Sequence, residues 1–91
     1  TSRDIEIIST ISSIRGLDLS QNKITAKDLR TLSKMPNIEY LNLQMCGLDH
    51  KALLELKSFS KLREVDVFTP GPNQKVESAP LSRALPNVLV H

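Results

Sequence analysis

Cys46 and His50 stand four residues apart and are the first pair whose side chains could do chemistry. One thiol and one imidazole make half a zinc site at most, where about four ligands are expected. The second histidine, His91, is the last residue, so no metal centre is expected. Serines and carboxylates are present, but no Ser, His and Asp fall into a recognised catalytic signature. Gly16, Gly47 and Gly71 are scattered among strands and turns and form no phosphate-cradling loop. No cofactor and no enzymatic activity are therefore expected of this chain, and catalysis would require a fused domain. What remains is chemistry of recognition: Tyr40, Phe68, and the carboxylates Asp18, Glu64 and Asp66.

The elements that position those residues follow from a repeat. In residues 14–24, apolar side chains occupy positions 1, 4, 6 and 11 (Ile14, Leu17, Leu19, Ile24), with Asn22 at position 9. The pattern returns 24 residues later as Ile38, Leu41, Leu43 and Leu48, with Cys46 at position 9. It begins again at Leu62, Val65 and Val67. A fixed period of this length marks one supersecondary unit stacked on copies of itself. Before each strand start runs a three-residue step: Ile5, Ile8, Ile11; Leu29, Leu32, Met35; Leu53, Leu56, Phe59; and Ala79, Ser82, Leu85 before Val88. That step is a helical or 3₁₀ stripe, and the alternation after it is a strand. The helix starts have capping residues in Thr25 with Asp28, in Asp49, and in Thr1 with Asp4. Pro36-Asn37, Ser60-Lys61 and Pro86-Asn87 break the chain after the helices. Units therefore run about 1–24, 25–48, 49–72 and 73–91, in a single domain spanning 1–91. After Val67 the motif fails at Phe68-Thr69-Pro70-Gly71-Pro72-Asn73, where two prolines predict a loop, and the step from Leu62 to Val88 is 26. Ile7 and Leu81 are apolar where the inner units carry Thr31 and Glu55, as terminal units that finish a core would be.

These motifs resemble leucine-rich repeats, whose strand consensus is L-x-x-L-x-L-x-x-N/C-x-L. The first two units match it in full, and the resemblance covers nearly all of residues 5–90. The helical halves, residues 25–32 and 49–56, look most like bacterial 24-residue repeats, and Arg83-Ala84-Leu85-Pro86-Asn87 looks like the closing stretch of such arrays. Short repeats of F-box-type substrate adaptors are similar but run longer. The resemblance implies an α/β right-handed solenoid, with short helices on the convex side and a three- to four-stranded parallel sheet on the concave side. It also implies a protein-binding module that is not itself an enzyme.

Bulk properties agree with a small recognition domain. Among 91 residues, 40% are hydrophobic and 3% aromatic, so the core is aliphatic. A net charge of +2 is too small to imply nucleic acid or an anionic membrane. One cysteine excludes an internal disulfide, and no apolar run approaches the ~18 residues of a membrane span. The chain opens at Thr1 with neither Met nor a signal sequence, which points to an upstream part having been removed and indicates no compartment.

Positions 3 and 5 of each motif point away from the core. Position 3 gives Gly16, Tyr40 and Glu64, and position 5 gives Asp18, Asn42 and Asp66. Positions 7 and 8, at the strand ends, give Ser20, Gln44, Phe68 and Gln21, Met45, Thr69. Position 2 gives Arg15, Glu39 and Arg63, a row of alternating sign expected to pair across strands. Acidic and aromatic residues thus gather on one face, while Lys27, Lys34, Lys51, Lys57 and Lys61 fall on the helical side. Such a division can be plain solvation, or it can be a hot-spot patch. The functional reading is a protein or peptide partner bound by Tyr40, Asn42, Gln44, Glu64, Asp66 and Phe68. The alternative is a structural or oligomerising section of a longer solenoid or multidomain protein, such as a substrate-adaptor subunit, with self-association through open sheet edges. A third reading, an anionic surface held by the helical lysines, is weakened by Asp28, Asp49 and Glu55 on that side.

Overall fold

A computed structural model describes residues 2–67 and 78–91. The loop expected at residues 68–73, and Phe68 with it, lie outside the described residues. The chain alternates helix and strand: α1 (Ser2–Ile8), β1 (Gly16–Asp18), α2 (Ala26–Leu32), β2 (Tyr40–Asn42), α3 (His50–Leu53), a 3₁₀ turn (Leu54–Ser58), β3 (Glu64–Asp66), α4 (Ser78–Ala84) and β4 (Leu89–Val90). The strands form one parallel sheet in the order β1-β2-β3-β4. On the other side of the core the helices line up in the same order, α1 on α2, α2 on the 3₁₀ turn, and that turn on α4. This α/β arrangement is compatible with a leucine-rich repeat fold.

Local chemistry fixes the helix starts. Thr25 Oγ1 accepts from the Asp28 amide at 3.2 Å, and Asp28 Oδ2 accepts from the Thr25 amide at 3.0 Å, a closed capping box. Asp28 is buried by this arrangement. Asp49 Oδ1 accepts from the Ala52 amide at 2.8 Å at the start of α3. The stripes of the two inner units, Leu29, Leu32, Met35 and Leu53, Leu56, Phe59, are all buried against Leu41, Leu43, Val65 and Val67 from the strands. Burying several full aliphatic side chains, each contributing ~1.5–3 kcal/mol, is the main source of cohesion.

The outer units differ from their expected patterns. In the first, Ile5 is buried, but Ile11 is 45% and Ile7 59% exposed, so Ile7 does not finish the core. Ile8, Ile14 and Leu17 are half-buried, with a described neighbouring unit on one side. In the last, Ser82 is exposed and Leu81 is buried in its place, while Leu85 is buried as expected. The Leu85 amide donates to the Leu81 carbonyl at 2.9 Å, so the two stand one helical turn apart on the inward face and Ser82 lies on the solvent side. Leu81 thus closes the core as expected, and Ile7 does not.

The last strand also departs in register. β1, β2 and β3 pair at the 24-residue offset: Gly16 with Tyr40 with Glu64, and Asp18 with Asn42 with Asp66. β4 pairs Glu64 with Leu89 and Val65 with Val90, one residue earlier than alignment on Val88 predicts. The hydrogen bonds give the reason. The Arg15 carbonyl accepts from both Glu39 and Tyr40 amides, and the Glu39 carbonyl from both Arg63 and Glu64, whereas the Arg63 carbonyl meets the Leu89 amide alone. The last unit has no position-2 residue. A one-residue shift exchanges the faces of a strand, so Leu89 turns outward and is 65% exposed.

Candidate functional site

The outward face of the sheet is built from positions 3 and 5. Tyr40 lies beside Gly16, where an added Cβ would stand 3.7 Å from Tyr40 Cδ2; the missing side chain leaves the ring a flat neighbour. The Tyr40 hydroxyl crosses to β3 and donates to Asp66 Oδ2 at 2.6 Å. That bond, together with burial and the charges of Asp66, Asp18 and Glu64, pushes the phenol up to about 12. Three carboxylates thus act on one ring, and the local potential is negative.

Position 5 serves the strand ends. Asp18 Oδ1 accepts from the Ser20 amide at 2.9 Å, and Asn42 Oδ1 from the Gln44 amide at 3.1 Å, the same turn twice at 24-residue spacing. Hydrogen bonds from the Ser20 side chain and backbone hold the Asp18 carboxyl below its usual range. The turns continue through Gln21 (φ 63°) and Met45 (φ 59°), both in the left-handed region. Met45 is 57% exposed at the rim. Gln44 is half-buried, and its carbonyl accepts from the Gln21 amide at 2.9 Å.

The position-2 row pairs across strands. Arg15 Nε reaches Glu39 Oε2 at 2.8 Å and Arg63 Nη1 reaches Glu39 Oε1 at 3.7 Å. Exposed pairs of this kind contribute ~0.2–1 kcal/mol, so the row orders the edge more than it stabilises the fold. On β3, Glu64 Oε2 meets His91 Nε2 at 2.7 Å. Between Tyr40 and Leu89 the surface sinks into a hollow of about 500 Å³ lined by Glu39, Tyr40, Arg63, Glu64, Asn87 and Leu89.

Of the residues singled out from the sequence, Tyr40, Asn42, Glu64 and Asp66 come together on two adjacent strands, with Gln44 at the end of one. Phe68 is outside the described residues. Leu89 and His91 escaped the sequence reading. Leu89 was hidden by the register shift, and only the missing position-2 residue could have signalled it. Cys46 is buried as its inward position requires; Sγ donates to the Leu19 carbonyl at 3.0 Å, and burial pushes the thiol up. Asn22, at the same motif position, is exposed, and its Nδ2 donates to the Leu19 and Ser20 carbonyls of the turn at 3.1 Å each. No described unit precedes it to cover that side. His50 is half-buried as the first residue of α3. Among the described residues no group of three or more His, Cys, Asp or Glu is placed to hold a metal, and no helix is long and apolar enough to cross a membrane.

The chain is thus an α/β protein with a parallel sheet whose outward face is polar and bears one aromatic ring among the described residues. No family model matches the chain. Over 69 residues, 75% of its length, the chain is 32% identical to receptor-like protein EIX1 of Solanum lycopersicum. The match spans 7% of that protein's length.

Proposed function

We propose that the chain is a leucine-rich repeat segment, curved as a solenoid, that binds a protein or peptide partner on the outward, concave face of its sheet. The contacts are Tyr40, Asn42, Gln44, Glu64, Asp66 and Phe68. The observation that carries this reading is the Tyr40–Asp66 pair: an aromatic ring held across two strands by a 2.6 Å bond presents its surface at little ordering cost. Similarity to a receptor-like protein supports recognition over catalysis, and the segment would work as a binding module within a larger protein. The test is capture of a partner on immobilised protein, followed by affinity measurement with Tyr40→Ala/Phe68→Ala and with Lys51→Glu on the helical side. The double variant is expected to bind at least tenfold more weakly with its melting curve still cooperative, and Lys51→Glu to bind normally. Equal affinity of all three proteins would remove the concave face as the site.

A second reading is favoured by the apolar side of the first unit. Exposed Ile7 and Ile11, beside half-buried Ile8, Ile14 and Leu17, suit a further repeat or a second copy stacked on β1. Sedimentation at rising concentration tests self-association: a dimer dispersed by Ile7→Lys/Ile11→Lys supports it, and a strict monomer excludes it.

A further inference from the structure

Tyr40, Glu64 and Leu89 stand in one row across β2, β3 and β4, paired in register. Neighbouring strands lie ~4.8 Å apart. The row therefore sets an aromatic ring, a carboxylate and an aliphatic side chain next to one another at successive strand spacings. The hollow opens along it. We propose that this row is a subsite for a lysine or arginine side chain of the bound partner, an inference that rests on the sheet-face reading above.

Two independent features support this occupant. The first is charge. The lysines Lys27, Lys51 and Lys57 belong to the helical layer, and the face around Tyr40 carries Asp18, Glu64 and Asp66. Of the described groups nearest the row, Arg15 bonds Glu39 at 2.8 Å, Arg63 stands 3.7 Å from Glu39, and the His91 ring bonds Glu64. His91 takes only Oε2 of Glu64; Oε1 has no hydrogen-bond partner among the described residues. The second is shape. A basic side chain is amphipathic, with a stem that covers apolar surface and a charged head that seeks water or a carboxylate. Leu89, 65% exposed, receives the stem. The Tyr40 ring flanks the head, where a cation over an aromatic face gains further attraction. An acidic side chain entering the same hollow would meet Glu39 and Glu64 as well as Arg63, which already stands beside Glu39, and a purely aliphatic one would leave Glu64 Oε1 unanswered.

The probes are acetylated, amidated trilysine, trinorleucine and triglutamate, titrated into isotopically labelled protein at low salt. Trilysine is expected to shift the Tyr40, Glu64 and Leu89 amide signals saturably, and to lose that effect at high salt. Trinorleucine, which keeps the stem without the charge, and triglutamate are expected to leave them in place. Glu64→Gln should weaken trilysine binding about threefold to fivefold, and Leu89→Ser should weaken it while preserving the salt dependence. No saturable shift with trilysine, equal response to trinorleucine, or unchanged binding in both variants overturns the proposal. Failure here is separable from failure of the sheet-face reading. A captured partner that is lost with Tyr40→Ala/Phe68→Ala but retained by Glu64→Gln and Leu89→Ser refutes the basic subsite and keeps the binding face.

Discussion

Residues 14–24 and 38–48 spell the same motif and are buried very differently. Leu41 is fully buried and Ile38 nearly so, whereas their counterparts Leu17 and Ile14 are half-buried. Cys46 is enclosed and Asn22 is in solvent. Yet the local backbone is a copy: the same side-chain-to-amide bond after position 5 and the same left-handed residue at position 8. The difference separates two sources of order. The turn is written within each unit, while burial is conferred by the units on either side.

The largest contrast should appear in the core. Leu41→Ala is expected to destabilise by about 3 kcal/mol, because a closed site cannot collapse around the lost atoms. Leu17→Ala should cost about 1 kcal/mol, since its side chain is partly in water already. Urea denaturation of both variants measures the gap, and equal losses would break the comparison.

Position 3 should give a smaller and pH-dependent effect. The first unit has Gly16 there and the second Tyr40. Tyr40→Phe removes the bond to Asp66 and is expected to cost about 1 kcal/mol at neutral pH. The sign of the pH effect follows from the direction of the shift. An unfolded tyrosine ionises at 10.0 and the folded one at about 12, so the folded state holds its proton longer. The contribution is complete below pH 10 and is lost as pH rises through about 12. Stability of the parent protein measured along that range should fall more steeply than that of Tyr40→Phe.

The smallest effect should be shared. Gln21→Gly and Met45→Gly each relieve a side chain from the left-handed region, at φ 63° and 59°. Both are exposed, so little packing is lost. Each is expected to gain roughly 0.5 kcal/mol, Gly's relief being offset in part by its flexibility when unfolded. Matching gains in thermal melts would sharpen the view that the turn is set locally, and a gain in one unit only would break it.

The same separation explains what the sequence could disclose. The 24-residue period was legible because hydrophobic spacing repeats without interruption from Ile14 to Val67, and it carried the register of three strands. The Thr25–Asp28 box and the Arg15–Glu39–Arg63 row were legible because each depends on neighbours at fixed offsets. Leu89 was not, since a missing position-2 residue leaves Val88 looking like a regular strand start while the ladder shifts by one. Nor was the exposure of Ile7 and Asn22, because residue type does not record whether another unit lies alongside. For the candidate site, the residues sharing the face could be counted from alternation. The bond from Tyr40 to Asp66 could not, because it depends on which way a side chain turns and on the diagonal between strands.

The phenol of Tyr40 also makes the molecule its own gauge. The chain contains one tyrosine and no tryptophan. Its near-ultraviolet absorbance therefore belongs to the sheet face alone, over a minor phenylalanine background. At an alkaline pH between the two ionisation points, folded molecules lack the tyrosinate band and unfolded ones display it. Absorbance at that band then counts unfolded molecules directly, and a partner settling on the ring would alter the same signal with no dye or label attached.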